Sequence, residues 1–122
     1  MDHIGSGVLI VEDQWMLAMD LSMSLSQEGV TTIGPSRDVD EVMDVLVRTR
    51  PRAAILDINL GSGTTSEPVA DELIRMGVPF AFLSAYTSDN SIAQKFPAAL
   101  FASKPVGRYK LIRFLDALLE SA

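Results

Sequence analysis

Four short apolar runs in this chain lead directly into residues that could do chemistry. Val8–Val11 is followed by Glu12 and Asp13, Ala53–Leu56 by Asp57, Phe80–Leu83 by Ser84, and Ala99–Ala102, after one serine, by Lys104. Carboxylates brought close together repel and raise one another's pKa unless a cation neutralises them. Oxygen ligands without histidine or cysteine suit a hard ion, magnesium above all. Asp13 and Asp57 are then expected as direct ligands, Glu12 as a ligand through water, and the backbone carbonyl of Asn59 as a further oxygen. A carboxylate in such a site is also a nucleophile toward phosphorus and yields an acyl phosphate. Phosphoryl transfer asks mainly for alignment and charge neutralisation, which a metal, Lys104 and the Ser84 hydroxyl supply. An aspartate is already ionised at neutral pH, so the chemistry needs no separate protein base.

These residues can cooperate only if the chain brings the ends of their strands together. Near-continuous apolar runs at Val8–Val11, 31–34, Ala53–Leu56, Phe80–Leu83 and Ala99–Ala102 read as strands buried on both faces of a parallel sheet, with 31–34 the weakest and suited to an edge. Trp15–Glu28 carries Leu17, Leu21 and Leu25 at intervals of four, with Gly29 as its stop. Val39, Val42, Met43, Leu46 and Val47 share one helical face behind a capping box of Asp38 and Glu41. A third helix is expected over about 67–76, with Pro68 in its first turn and Gly77 ending it. Ser88–Lys95 leaves room for a short fourth, and Leu111, Phe114, Leu115, Leu118 and Leu119 form the stripe of a fifth.

Five alternating βα units are too few for an eight-stranded barrel and predict an open, doubly wound α/β sheet, (βα)5, in the flavodoxin-like order 2-1-3-4-5. The crevice of that order lies at the carboxyl ends of strands 1 and 3, where strands about 4.8 Å apart converge the five groups.

The totals narrow the function classes. The 122 residues suit one domain, 1–122, and 48% hydrophobic with 21% charged residues is an ordinary globular balance. There is no cysteine, and the lone His3 lies in a polar N-terminal stretch, which removes thiol chemistry, cysteine-held zinc and a serine-histidine triad. A formal net charge of -6 argues against nucleic acid as a direct partner. No apolar run approaches the length of a membrane span and the N-terminus lacks signal-peptide features, so a cytoplasmic protein without membrane contact is expected.

The segments VLIVEDQ, AAILDINLG, PFAFLSAY and FASKP together resemble the receiver domain of two-component response regulators, over essentially the whole chain. The resemblance implies Mg2+-dependent acceptance of a phosphoryl group on Asp57 from a histidine kinase or phosphotransfer protein. It implies Ser84 as the switch hydroxyl, Lys104 as the phosphate-contacting cation and a cis bond between Lys104 and Pro105. PFAFLSAY further resembles the PFxFATGY motif of the FAT GUY subgroup, which is associated with HWE-type kinases. Ser84 and Ala85 stand where threonine and glycine are usual there, and Val106 where an aromatic is common.

The function expected from these residues is that of a single-domain response regulator. It catalyses only its own phosphorylation and dephosphorylation, and signals by reshaping a protein-binding face formed by the fourth helix, fifth strand and fifth helix. The rival is a pseudo-receiver that docks without being phosphorylated, although that class usually lacks a site residue that this chain keeps. A magnesium phosphatase is disfavoured because Asn59 is neither acid nor base. Phe101 is either an aromatic that moves with the switch or a static core residue, and Trp15 is a surface or helix-start anchor rather than a cofactor platform. Tyr86, two residues beyond Ser84, either shields the acyl phosphate from water or caps the loop. Shielding predicts faster loss of phosphate from Tyr86→Ala; an unchanged half-life in a phosphate-release assay would leave Tyr86 as a loop cap.

Overall fold

A computed structural model describes residues 7–61, 63–84, 90–97, 99–104 and 106–120. The elements alternate without exception: β1 (Val8–Val11), α1 (Trp15–Gln27), β2 (Thr32–Ser36), α2 (Val39–Arg48), β3 (Ala53–Asp57), α3 (Glu67–Met76), β4 (Phe80–Ser84), α4 (Asn90–Lys95), β5 (Leu100–Ser103) and α5 (Arg108–Glu120). All strands pair in parallel, in the order β2-β1-β3-β4-β5. The expected sheet order and winding are those observed. The weakest run forms an edge strand, shifted in sequence to Thr32–Ser36.

Side-chain alternation along each strand divides the core into two layers. Leu9, Val11, Ala54, Leu56, Phe80 and Phe82 face one side, against Val42 and Leu46 of α2, Val69 and Leu73 of α3, and Ile92 of α4. Val8, Ile10, Ala53, Ile55, Ala81 and Leu83 face the other, against Leu21 and Leu25 of α1 and Leu111, Leu115 and Leu118 of α5. β1, β3 and β4 read as almost unbroken apolar runs because they are buried on both faces.

A local signal sets the start of α2. Asp38 accepts from the Glu41 backbone N–H at 2.9 Å, as a capping box requires. The Glu41 carboxylate reaches one residue further back than the usual box and accepts from Arg37 N at 2.9 Å. Helix α4 has only six residues, spanning about 9 Å. A five-residue strand such as β4 runs roughly 17 Å, so α4 is too short to lie along the whole of it. Below it lies a cavity of about 510 Å³, bordered by Phe80, Phe96, Pro97, Leu100 and Leu118.

Among the described residues no helix is long and apolar enough to cross a membrane. The expected cis bond involves Pro105 and lies outside the described residues, as do Tyr86 and His3.

Phe82 is fully buried and meets Phe80, Phe96 and Phe101 at centroid distances of 5.4, 5.6 and 5.2 Å. Truncating it removes the centre of an aromatic cluster, so Phe82→Ala is expected to lower unfolding free energy by about 3–5 kcal/mol. Urea denaturation measures this, and a loss far below that range would mean that α4 and its neighbours collapse into the space.

Candidate functional site

The sheet register decides which residues meet. Val11 pairs with Leu56, Asp57 with Leu83, and Ser84 with Ser103. The carboxyl ends of β1, β3, β4 and β5 therefore lie level. Backbone bonds continue that alignment past the strands: Glu12 N donates to Ser36 O at 2.9 Å, Ile58 N to Leu83 O at 3.0 Å, and Lys104 N to Ser84 O at 2.8 Å.

Glu12, Asp13 and Asp57 each offer a carboxylate oxygen within 4.8 Å of the others. Glu12 is 1% exposed and Asp57 5%, while Asp13 is partly open to solvent. Lys104 reaches into this group, its Nζ 2.9 Å from Glu12 Oε1 and 3.0 Å from Asp57 Oδ2. The contact to Glu12 is an ion pair without the alignment of a hydrogen bond, and Oε1 has no hydrogen-bond partner. Its second oxygen, Oε2, accepts from Gln14 N at 3.1 Å. Glu12 thereby ties the pocket to the start of α1.

Burial raises the Asp57 carboxyl from 3.8 to about 7, with the neighbouring Glu12 charge adding to the rise and Lys104 opposing it. For Lys104, burial works against the charge, but its pairing with Glu12 and Asp57 prevails and holds it above the usual lysine value. Three carboxyl groups face one ammonium, so the pocket holds more acidic groups than Lys104 can pair. The residues present fit a hard divalent cation: the donors are all oxygens, and three of them lie within 4.8 Å of one another.

Ser84 is buried at the end of β4. Asn59 is exposed, in an antiparallel bridge with Thr65. Phe101 packs against Phe82 at the edge of the apolar layer. Val106 lines a small cavity of about 30 Å³ beside Glu12 and Lys104.

One contact escaped the sequence reading. Gly61, four residues beyond Asp57, lies so close to Asp13 that a β-carbon built on it would sit 3.1 Å from Oδ2. The legible signal was a pair of glycines, Gly61 and Gly63, just past the candidate nucleophile.

No family model matches the chain. The solution structure of SdrG from Sphingomonas melonis Fr1 is 33% identical, with a TM-score of 0.80 and 98% of this chain and 99% of that one covered. A response regulator receiver protein from Burkholderia phymatum is 26% identical, with a TM-score of 0.81 over 93% of this chain and 94% of its own. The chain belongs to the response-regulator receiver family. SdrG is also known in a BeF3-activated conformation, at 32% identity over 97% of this chain and 99% of that one, with a TM-score of 0.79. Among curated proteins, this receiver matches the phyllosphere-induced regulator PhyR of Methylorubrum extorquens, 28% identical over 100 residues and 80% of this chain. It also matches the transcriptional regulatory protein PdtaR of Mycobacterium tuberculosis, 23% identical over 111 residues and 89% of this chain. It spans 38% of the length of PhyR and 54% of that of PdtaR.

The receiver's acidic pocket has a consequence for stability. Asp57 has a higher pKa folded than unfolded, so the native state binds the extra proton and stability falls as pH rises from about 4 to about 7. The rise from 3.8 to about 7 corresponds to at most roughly 4 kcal/mol. Asp57→Asn removes that charge and is expected to gain about 1–3 kcal/mol at about pH 8, and little at about pH 4. Thermal unfolding across that range measures it, and a gain independent of pH would exclude the Asp57 charge as its source.

Proposed function

We propose that this receiver accepts a phosphoryl group on Asp57 from a phosphohistidine donor, with Mg2+ held by the acidic pocket, and that the modification switches a protein-binding face. The observation that carries the proposal is the convergence of Glu12, Asp13 and Asp57 within 4.8 Å, with Lys104 paired to two of them. Asp13 and Asp57 are the direct ligands in this reading, with Glu12 acting through water and Asn59 through its carbonyl. When bound, the cation neutralises these carboxylates and the oxygens of the transferring group.

Asp57 is the nucleophile. One of its carboxylate oxygens bonds to phosphorus as the bond from phosphorus to the donor's imidazole nitrogen breaks, and the electron pair leaves on nitrogen. Lys104 is already 3.0 Å from an oxygen of Asp57 and turns to an oxygen of the incoming group. The Ser84 hydroxyl, at the end of the neighbouring strand, donates to another. The modified side chain carries about -2 in place of -1, and drawing Ser84 toward it repositions the loop to α4 and the Phe101 edge of β5.

The receiver thus has no turnover on an external substrate. Its partners in this reading are a histidine kinase or phosphotransfer protein and a downstream protein target, and its place is the cytoplasm. PFAFLSAY directs the choice of donor to HWE-type kinases. The BeF3-activated form of SdrG supports a similar activation here. Net charge -6 disfavours direct nucleic-acid contact.

Incubation with acetyl phosphate and Mg2+ followed by intact mass is expected to add about 80 daltons to the native chain, the mass of a phosphoryl group, and nothing to Asp57→Ala. A native chain that gains no mass from acetyl phosphate or from a phosphorylated histidine donor would instead be a docking pseudo-receiver.

A further inference from the structure

The loop between β3 and α3 is folded back on itself by its own backbone. Ser66 N donates to Ile58 O, Leu60 N to Thr64 O and Thr64 N to Gly61 O, all at 2.9 Å, and Asn59 bridges Thr65. These bonds fix Gly61 against the acidic pocket in the left-handed region, at φ +85°. A β-carbon there would meet Asp13 Oδ2 at 3.1 Å, closer than ordinary van der Waals contact. Two residues on, Gly63 has nearly the same backbone angle, φ +74°, but a β-carbon on it would meet nothing within 4 Å. The loop therefore carries two glycines under the same backbone constraint, of which one alone touches a candidate metal ligand.

We infer that Gly61 is a positioning residue for the cation: the bare α-carbon leaves Asp13 Oδ2 free to take the position that a small octahedral ion demands. The inference rests on the proposed Mg2+ site and adds to it a determinant of affinity and ion choice. Magnesium tolerates little departure from ideal geometry at 2.0–2.1 Å, roughly, whereas calcium accepts longer and more variable bonds. A shift of Asp13 by a few tenths of an ångström therefore weakens magnesium binding more than calcium binding. Residues that orient a metal ligand typically change metal affinity by about 10–100-fold when altered.

The test uses the full chain and the metal alone. Thermal unfolding of the native chain, Gly61→Ala and Gly63→Ala, followed by Trp15 fluorescence across Mg2+ and Ca2+ series, gives affinities from the ion-dependent rise in midpoint. Midpoints without ion measure backbone strain, which both variants share. Gly61→Ala is expected to bind Mg2+ at least about tenfold more weakly than Gly63→Ala, with a smaller loss for Ca2+. Should an alanine variant fail to fold, the pair Gly61→Asn and Gly63→Asn repeats the comparison with a residue that tolerates left-handed backbone. Equal Mg2+ affinities in the two variants, or equal losses for both ions, would overturn the inference and leave the proposed function standing. A native chain that responds to neither ion would overturn both.

Discussion

Two nearly solvent-free carboxylates share one lysine at the edge of this sheet, and most of the architecture serves to hold them there. Glu12 and Asp57 lie at the ends of adjacent strands, and Lys104 approaches both from β5, on the far side of β4. Asp13 adds a third carboxylate. Unpaired carboxylates in a low-dielectric pocket are costly. The chain can keep the arrangement only because the sheet beneath it has little freedom to relax. Apolar layers on both faces grip the central strands β1, β3 and β4, and the backbone bonds continue one residue beyond β1, β3 and β5. Rigidity here is what prevents the pocket from spreading to relieve its own repulsion.

The same crowding of acidic groups underlies the proposed chemistry. A site neutralised by its own side chains would have little affinity for a cation, and under the proposed function a freely solvated aspartate would not be held in place as the nucleophile. Lys104 pairs with two of the three carboxyl groups, and the acidic groups still outnumber it. Glu12 spends its second oxygen on Gln14 N, so the pocket and the first turn of α1 form one unit. The folded β3–α3 loop closes the opposite side with Gly61 against Asp13. Three separate backbone segments thus converge on one set of oxygens, and a change in the charge carried there is felt by all of them.

Coverage of the sheet is uneven, and this bears on how such a change could spread. Helices α1 and α5 have 13 residues and α2 and α3 have ten, but α4 has six. The β4–β5 side therefore rests on Ile92 and Phe96 and on contacts among four phenylalanines, with open volume beneath them. Segments held by few buried contacts have low local stability and are the ones that move first. The open volume lies toward the amino-terminal ends of β4 and β5, beside Phe80 and Leu100, at the opposite end of β4 from Ser84.

Much of this was legible in the sequence. Apolar runs of four or five residues alternating with amphipathic stretches determined a parallel, doubly wound sheet, because strands buried on both faces admit no polar alternation. The number of units excluded an eight-stranded barrel, and the order expected was the common one for an open five-stranded sheet. Acidic, hydroxyl and ammonium groups just past the strand ends then had to converge, since parallel strands place their carboxyl ends at one edge. Tertiary structure alone decided the rest. That Lys104 pairs with Glu12 as well as Asp57 depends on side-chain reach across two strands, which spacing does not encode. The extent of β2 depended on pairing with β1, and the Glu41 cap on a bond to Arg37 one residue beyond the expected partner. The contact of Gly61 with Asp13 arises from a loop folded by its own backbone hydrogen bonds, and such closures depend on long-range geometry that no local pattern of residues records.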